Sequence, residues 1–337
     1  MKAFLQGILI GLANIIPGVS GGTLALILGI YERLIKAVGA VDVGFALAGL
    51  KLLTGKRAAR DAFAAEWRRT DMTFLAILGL GAVSAILATA RLMDYVLHHH
   101  HAAAYAFFVG VVLVSIIFPL RCIKRRGWRE LVCFLIATAL TVALPHTVSE
   151  ERQIQKAERK AALEQTDVPA SAARGGLISL ATPSPTRMLF IFLSAALAIS
   201  AMVLPGISGS FVLLLLGVYF DLLLAINERQ VVFLGIFCLG LLVGLLLFAR
   251  VMAWLLEHLY DVTMAFMIGL MAGSIYILWP FKKTVIVAGD TLYLGNQLPT
   301  TWSAAEWSAL GAFVVGCALI GAFAFLPPHA AAGRDHA

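Results

Sequence analysis

A short proline- and glycine-rich stretch occurs twice in this chain, and each copy interrupts a long apolar segment. The first copy is Pro17-Gly18-Val19-Ser20-Gly21-Gly22-Thr23 and the second is Pro205-Gly206-Ile207-Ser208-Gly209-Ser210. The two prolines lie 188 residues apart, and the same spacing relates Tyr31 to Tyr219. The chain therefore contains an internal repeat, which has to be recognised before the fold is interpreted.

The repeated stretch predicts two broken helices. Proline ends or kinks a helix because it has no backbone N–H and its ring clashes with the preceding turn. Glycine permits positive φ and close approach to the backbone, and a helix that restarts there presents N–H groups that favour an anion. In a membrane, such backbone survives only where protein or a water-filled cavity covers it. Two broken helices at matching positions of two halves are typical of a transport site, whereas two tight turns that only reverse the chain are the simpler alternative.

The composition identifies an integral membrane protein. Of the 337 residues, 61% are hydrophobic and 13% are charged, whereas soluble domains carry about 25% charged residues. The net charge of +7 comes from basic residues in short loops, so it indicates membrane orientation and not nucleic-acid binding. The four cysteines have no C-x-x-C spacing, so neither a zinc site nor a disulfide framework is predicted. No cofactor is expected.

We predict an all-α polytopic membrane protein with an inverted repeat, in which each half has a re-entrant broken-helix hairpin and two transmembrane helices. One linking helix and one C-terminal helix complete it. The first repeat, 1–120, comprises a hairpin at 3–36, an interfacial segment at 37–71, and spans at 72–97 and 102–120. A linking span at 131–145 and a polar linker occupy 121–187. The second repeat, 188–280, comprises a hairpin at 188–226 and spans at 231–256 and 262–280, and a loop and a span at 305–326 occupy 281–337.

The orientation follows from the charged loops. The stretches 51–71 and 121–130 are rich in Lys and Arg, which places them and the first hairpin on the cytoplasmic side. One linking span then inverts the second half. If 37–55 were a full span instead of an interfacial segment, the first hairpin would face outside and the inversion would fail. The run His98–His101 suggests either a metal site or, more simply, a solvated loop tip.

Two arginines occupy matching positions within the spans. Arg91 and Arg250 are 159 residues apart, as are Gly81 and Gly240; the spacing falls below 188 because only the first half carries the segment 37–71. A charge within a span costs several kcal/mol and usually faces the protein interior or a cavity, and arginine binds phosphate in a bidentate manner. The alternative is snorkelling, or pairing of Arg91 with Asp94.

The predicted substrate-binding residues comprise these arginines and the hairpin tips. They are Asn14, Gly18, Ser20, Gly21, Gly22, Thr23, Arg91, Gly206, Ser208, Gly209, Ser210 and Arg250. Glu32, Arg33 and Asp221 lie at the hairpin ends and are expected to be interfacial. No catalytic residue or metal ligand is predicted, because the chain has no H-E-x-x-H, no P-loop and no G-x-S-x-G motif.

Both copies of the motif resemble the signatures of the bacterial polyprenyl-phosphate transporters, a family formerly described as a membrane domain of unknown function. The first is Ala13-Asn14-Ile15-Ile16-Pro17-Gly18-Val19-Ser20-Gly21-Gly22-Thr23 with Leu28-Gly29-Ile30-Tyr31-Glu32, and the second is Val203-Leu204-Pro205-Gly206-Ile207-Ser208-Gly209-Ser210 with Leu216-Gly217-Val218-Tyr219. The resemblance extends to residue 280. It implies a transporter, not an enzyme, that returns undecaprenyl phosphate from the outer to the inner leaflet of the bacterial cytoplasmic membrane for reuse in envelope polymer synthesis.

Two alternatives and several properties stay open at this point. A small-anion channel or secondary carrier would use the same hairpin tips, and a lipid phosphatase or transferase is a third class that no motif supports. The expected partners are the polyprenyl-phosphate lipid and the membrane, together with a coupling ion, proton or sodium. The sequence does not define that ion or the oligomeric state.

Overall fold

A computed structural model describes residues 1–15, 21–125, 127–147, 184–206, 209–287, 290–299 and 301–325. The helices of the first half are α1 (Lys2–Ile15), α2 (Gly21–Ile27), α3 (Tyr31–Gly39), α4 (Val43–Lys51), α5 (Arg57–Arg69), α6 (Met72–His99), α7 (His101–Ser115), α8 (Ile117–Cys122) and α9 (Trp128–Ala143). The elements of the second half are α10 (Pro185–Val203), α11 (Gly209–Leu215), α12 (Tyr219–Asn227), α13 (Val231–His258), α14 (Tyr260–Ile277), β1 (Lys282–Val287), β2 (Asp290–Asn296) and α15 (Ala304–Phe325). Short 3₁₀ turns follow α4 at Leu52–Thr54 and α9 at Leu144–Thr147.

The described residues include seven helical segments that are long and apolar enough to cross a membrane. They are α6, α7 with α8, α9, α10, α13, α14 and α15. Helices α3 and α4 meet at a 63° bend and would add an eighth crossing if they formed one broken span. The prediction of a mostly helical, polytopic membrane protein is confirmed. The antiparallel hairpin β1–β2 lies in the stretch after α14 for which only a polar loop was expected.

Both broken helices form hairpins whose return limb is itself divided. A Cβ atom at Gly21 would lie 3.0 Å from the side chain of Ile10, so α2 begins against the last turns of α1. Gly209 lies in the same way against Ala198, and this contact places α11 on α10. The return limbs are then interrupted at Gly29 and Gly217, whose φ values of +67° and +74° are ones that glycine adopts without strain. The tips, residues 16–20 and 207–208, lie outside the described residues.

Equivalent close contacts join the hairpins to the first long helix of each half. A Cβ atom at Gly81 of α6 would lie 2.2 Å from the Phe4 carbonyl oxygen of α1, and one at Gly240 of α13 would lie 2.4 Å from that of Phe192 in α10. No side chain fits at such distances, so only glycine allows these helices to approach so closely. All four positions match in the repeat of the sequence, because Phe4 and Phe192 are also 188 residues apart.

The second span of each half, α7 or α14, packs against a helix that belongs to the other half of the chain. Gly269 of α14 packs against the Phe134 carbonyl of α9, at 2.4 Å from an ideal Cβ, and Gly110 of α7 packs against the Phe313 carbonyl of α15 at 2.3 Å. The hydroxyl of Thr138 also donates a 3.1 Å hydrogen bond to the carbonyl oxygen of Gly269. The sequence predicts α9 as a linking helix and α15 as a C-terminal helix. In the structure each packs on the second span of the other half, α9 on α14 and α15 on α7.

Candidate functional site

The two hairpins meet inside the molecule. The Tyr31 side chain at the start of α3 is 2% exposed, and its hydroxyl donates to the Val203 carbonyl oxygen at the end of α10, at 3.5 Å. Val203 and Leu204 belong to the same apolar cluster as Tyr31. Gly206, with φ +87°, approaches the Leu270 carbonyl of α14 so closely that a Cβ would lie 2.7 Å away. The end of the second hairpin's first limb is therefore packed on the first hairpin and on α14.

The structure describes part of the predicted tip site. Gly21, Gly22 and Thr23 are buried at the start of α2, and Gly206 and Gly209 are buried on the two sides of the second tip. The amide oxygen of Asn14 accepts a 2.9 Å hydrogen bond from the Gly21 N–H, so Asn14 closes the turn between α1 and α2 and occupies one predicted donor. The predicted residues Gly18, Ser20 and Ser208, together with the side chain of Ser210, lie outside the described part of the chain.

Arg250 is bound to the end of α3. Its Nε donates to the Gly39 carbonyl oxygen at 3.2 Å and its Nη2 donates to that of Val41 at 2.8 Å. These carbonyls lie at the C-terminal end of a helix, where a cation is favoured. The sequence did not reveal this partner, because it is a backbone segment more than 200 residues away. Arg91 lies at the matching position of α6, and its side chain is outside the described residues.

A cavity of about 960 Å³ opens beside the first hairpin. We call it the α3 cavity. Its apolar wall includes Leu26, Ile27, Phe118, Pro119 and Met264. Its charged lining consists of three basic and two acidic residues, namely Arg33, Lys36, Arg69, Glu32 and Asp71. An apolar wall beside a charged rim suits an amphipathic ligand.

Most of the charged residues around the α3 cavity already have partners. Arg33 Nε lies 2.7 Å from Asp71 Oδ2, and its guanidinium stacks over Phe74 at 4.1 Å. Arg69 lies 2.7 Å from Glu66 and 2.9 Å from Asp42. The hydrogen bond that Arg69 donates to the Glu66 carboxylate raises the pKa of Arg69.

The α3 cavity lies at the end of the molecule that carries the basic loops. Tyr260 lines the cavity, and its neighbour Asp261 accepts hydrogen bonds from the N–H groups of Lys124 (3.0 Å) and Arg125 (3.1 Å). The basic loop 121–130 is thereby attached beside the cavity. Arg69 and Asp71 bring the end of the basic helix α5 to the same place.

The hairpin β1–β2 covers the end of α7. The imidazole of His101 is stacked on Tyr105 at 4.1 Å and on Tyr293 of β2 at 3.6 Å. The ammonium of Lys282 donates a 2.8 Å hydrogen bond to Asn296 across the strands, and burial lowers the pKa of Lys282. His101 thus packs against aromatic rings, and the described residues contain no group of three side chains that would hold a metal ion.

Comparison with known proteins identifies the family. The sequence profile of the undecaprenyl phosphate translocase-like family matches residues 10–292. A polyprenyl-phosphate transporter of Vibrio cholerae is 33% identical over 285 residues, which cover 85% of this chain and 79% of that protein. A polyprenyl-phosphate transporter of Staphylococcus aureus is 27% identical over 290 residues, which cover 84% of this chain and 87% of that protein. No solved structure matches this chain.

This chain belongs to the undecaprenyl phosphate translocase-like family. The resemblance noted in the two motifs is therefore confirmed. Because its relatives are named as transporters, the family is one of transporters and not of enzymes. Together with the seven apolar helices, this makes the chain a multi-pass membrane transporter.

Proposed function

We propose that this protein transports undecaprenyl phosphate across the bacterial cytoplasmic membrane, from the outer to the inner leaflet, and so returns the carrier lipid for reuse in envelope polymer synthesis. The family and the two relatives named as polyprenyl-phosphate transporters support the substrate class. The observation that carries the proposal is the meeting of the two broken hairpins in the core, where Tyr31 contacts Val203. Paired broken helices of this kind form the substrate sites of many secondary transporters.

In this proposal the two halves are inverted relative to each other and both hairpins are re-entrant. The matching contacts of Gly81 and Gly240, and those of Gly110 and Gly269, support equivalent packing in the two halves. Three crossings follow the hairpin in each half, and an odd number reverses the direction of the second half. The basic loop 121–130 then lies in the cytoplasm, as the positive-inside rule requires.

The head group follows the hairpin tips while the prenyl chain stays in the lipid. Backbone N–H groups at 18–23 and 206–211 line the proposed path, with Arg91 on its outer half and Arg250 on its inner half. Arg250 donates to Gly39 and Val41 in this structure. It would therefore have to release α3 in order to bind the phosphate, which couples passage of the head group to a movement of that helix.

Transport in liposomes tests the proposal. Purified protein is reconstituted with a fluorescent polyprenyl phosphate in one leaflet, and its appearance in the other leaflet is measured with a quencher that does not cross the membrane. Wild-type protein should transport the lipid. The Arg91→Ala and Arg250→Ala proteins should fold correctly but transport the lipid slowly. Arg129→Ala is the matched control, because Arg129 is an exposed arginine whose described contact is the neighbouring Trp128 ring.

Each outcome has a distinct meaning. Equal transport by wild type and both arginine variants would remove the arginines from the mechanism and leave the substrate unchanged. Uptake of inorganic phosphate or chloride without movement of the lipid would show a small-anion carrier instead. Loading the lipid in the outer or the inner leaflet, with and without a proton or sodium gradient, measures the direction and identifies the coupling ion.

A further inference from the structure

Lys36 differs from the other basic residues of the α3 cavity in having no described partner. Arg33 is paired with Asp71, and Arg69 is paired with two carboxylates. Lys36 is exposed and lines the cavity, yet its ammonium makes no ion pair or hydrogen bond that is described in this part of the chain. Its side chain is therefore available to a ligand that enters the cavity.

The acidic residues nearest to Lys36 are occupied elsewhere. Glu32, one helical turn before Lys36, interacts with Tyr260, which also lines the cavity. Asp71 binds Arg33. Arg69 is held by Asp42 and Glu66, so Lys36 is the cation of the lining for which the described residues show no carboxylate partner.

The basic residues of α3 are not a requirement of the repeat. The residues that correspond to Arg33 and Lys36 in the second hairpin are Asp221 and Leu224. Asp221 is buried and paired with Arg187, so the matching face of α12 presents no free cation to a ligand. The same hairpin fold is therefore built without these basic residues, and their presence in the first half needs another explanation.

We propose that the α3 cavity is a docking site for a phosphate monoester carried on an apolar chain, at the cytoplasmic end of the protein, with Lys36 as the phosphate contact. This inference rests on the proposed function, since it places the inner-leaflet end of the transport path. A volume of about 960 Å³ is far larger than a phosphate group alone, and it lies within the usual range for sites that enclose a whole small ligand. The wall formed by Ile27, Phe118 and Met264 takes the first units of the chain.

Binding of farnesyl phosphate to the full-length protein in detergent tests this site without any transport step. The titration is repeated with Lys36→Gln, with Lys36→Arg, and with Lys51→Gln as the matched control, because Lys51 is an exposed lysine at the end of α4 that does not line the cavity. Lys36→Gln should raise the Kd about tenfold, the size expected for loss of one charge-assisted hydrogen bond. Lys36→Arg and Lys51→Gln should bind nearly as wild type does.

Farnesol and inorganic phosphate, titrated in parallel, separate the two parts of the ligand. Both should bind much more weakly than farnesyl phosphate, and farnesol binding should not depend on Lys36. Equal Kd values for farnesyl phosphate with wild type and Lys36→Gln would overturn the site, even if wild type transports the lipid in liposomes. If inorganic phosphate bound as tightly as farnesyl phosphate, the apolar wall would have no role and the proposal would fail. Absence of transport with intact Lys36-dependent binding would refute the proposed function and keep the site.

Discussion

Replacement of Arg250 by alanine should free the end of α3. Arg250 makes two hydrogen bonds to carbonyl oxygens, those of Gly39 and Val41, at 3.2 and 2.8 Å. A hydrogen bond from a charged donor contributes about 1.5–3 kcal/mol when shielded, but Arg250 is exposed, and screening reduces each value. We therefore expect about 1–2 kcal/mol for the pair, which corresponds to a roughly 5- to 30-fold larger open population of this segment.

Hydrogen exchange of the peptide covering residues 36–42 measures this opening. Exchange should accelerate by that factor in Arg250→Ala and less in Arg250→Lys, whose ammonium keeps the charge but lacks the planar fork. Arg129→Ala should leave the segment unchanged. Unaltered exchange in a folded Arg250→Ala protein would refute the capping role. Loss of transport without faster exchange would show that Arg250 acts on the phosphate directly.

Substitutions at three further contacts test the packing. Gly110→Leu should separate α7 from α15 and lower the melting temperature strongly, since even a Cβ at Gly110 would lie 2.3 Å from a carbonyl oxygen. Gly79→Leu is the control, because no described atom lies within 4 Å of a Cβ there, and its melting temperature should equal that of wild type. Equal melting temperatures for the two variants would contradict the contact of Gly110. Arg187→Leu leaves the side chain of Asp221, which is 9% exposed, without its cation, and should cost about 3–5 kcal/mol, much of which Asp221→Leu in the same chain should restore. Tyr31→Phe should change the free energy of unfolding by less than about 1 kcal/mol, because the hydrogen bond of the hydroxyl is long. Tyr31→Ala should lower it by about 3–5 kcal/mol, because it removes the buried ring. A lower melting temperature for Tyr31→Phe than for Tyr31→Ala would argue against the packing role of the ring.

The features that the sequence predicted well are those set by local chemistry. Apolar segments of sufficient length predicted the helices that are long and apolar enough to cross a membrane, and Pro17 and Pro205 fall in the intervals between α1 and α2 and between α10 and α11. The second break, at Gly29 and Gly217, was missed because the apolar pattern continues across it and hydropathy carries no information about φ. A repeated glycine before a repeated tyrosine was the available signal. The strands β1 and β2 also had a signal in the sequence, since residues 284–293 are rich in Val, Ile, Thr and Tyr on the two sides of a Gly-Asp pair.

Contacts between helices that are distant in the chain could not be predicted from the sequence alone. The pairing of α9 with α14 and of α15 with α7 depends on where Gly269 and Gly110 lie in three dimensions, and no local pattern states which helix will approach them. The α3 cavity is a similar case. Arg33 was expected to be interfacial, but α8 and α14, which are distant in sequence, turn its helix into the wall of a cavity.

The departures from the repeat bear on the direction of transport. A transporter whose two halves were identical and inverted would offer the lipid the same site at both ends of the path, and its structure would have no preferred direction. Here one end has the α3 cavity with Lys36, and the matching position of the second half is Leu224. The start of α7 instead carries the hairpin β1–β2, which packs on His101. Under the proposed function, these differences give the phosphate a stronger site at the cytoplasmic end. A stronger site acts on loading from its own side, so exchanging the two side chains, Lys36→Leu with Leu224→Lys, should raise the half-saturating concentration for lipid loaded in the inner leaflet more than that for lipid loaded in the outer leaflet. Equal changes on both sides would argue against this origin of the asymmetry.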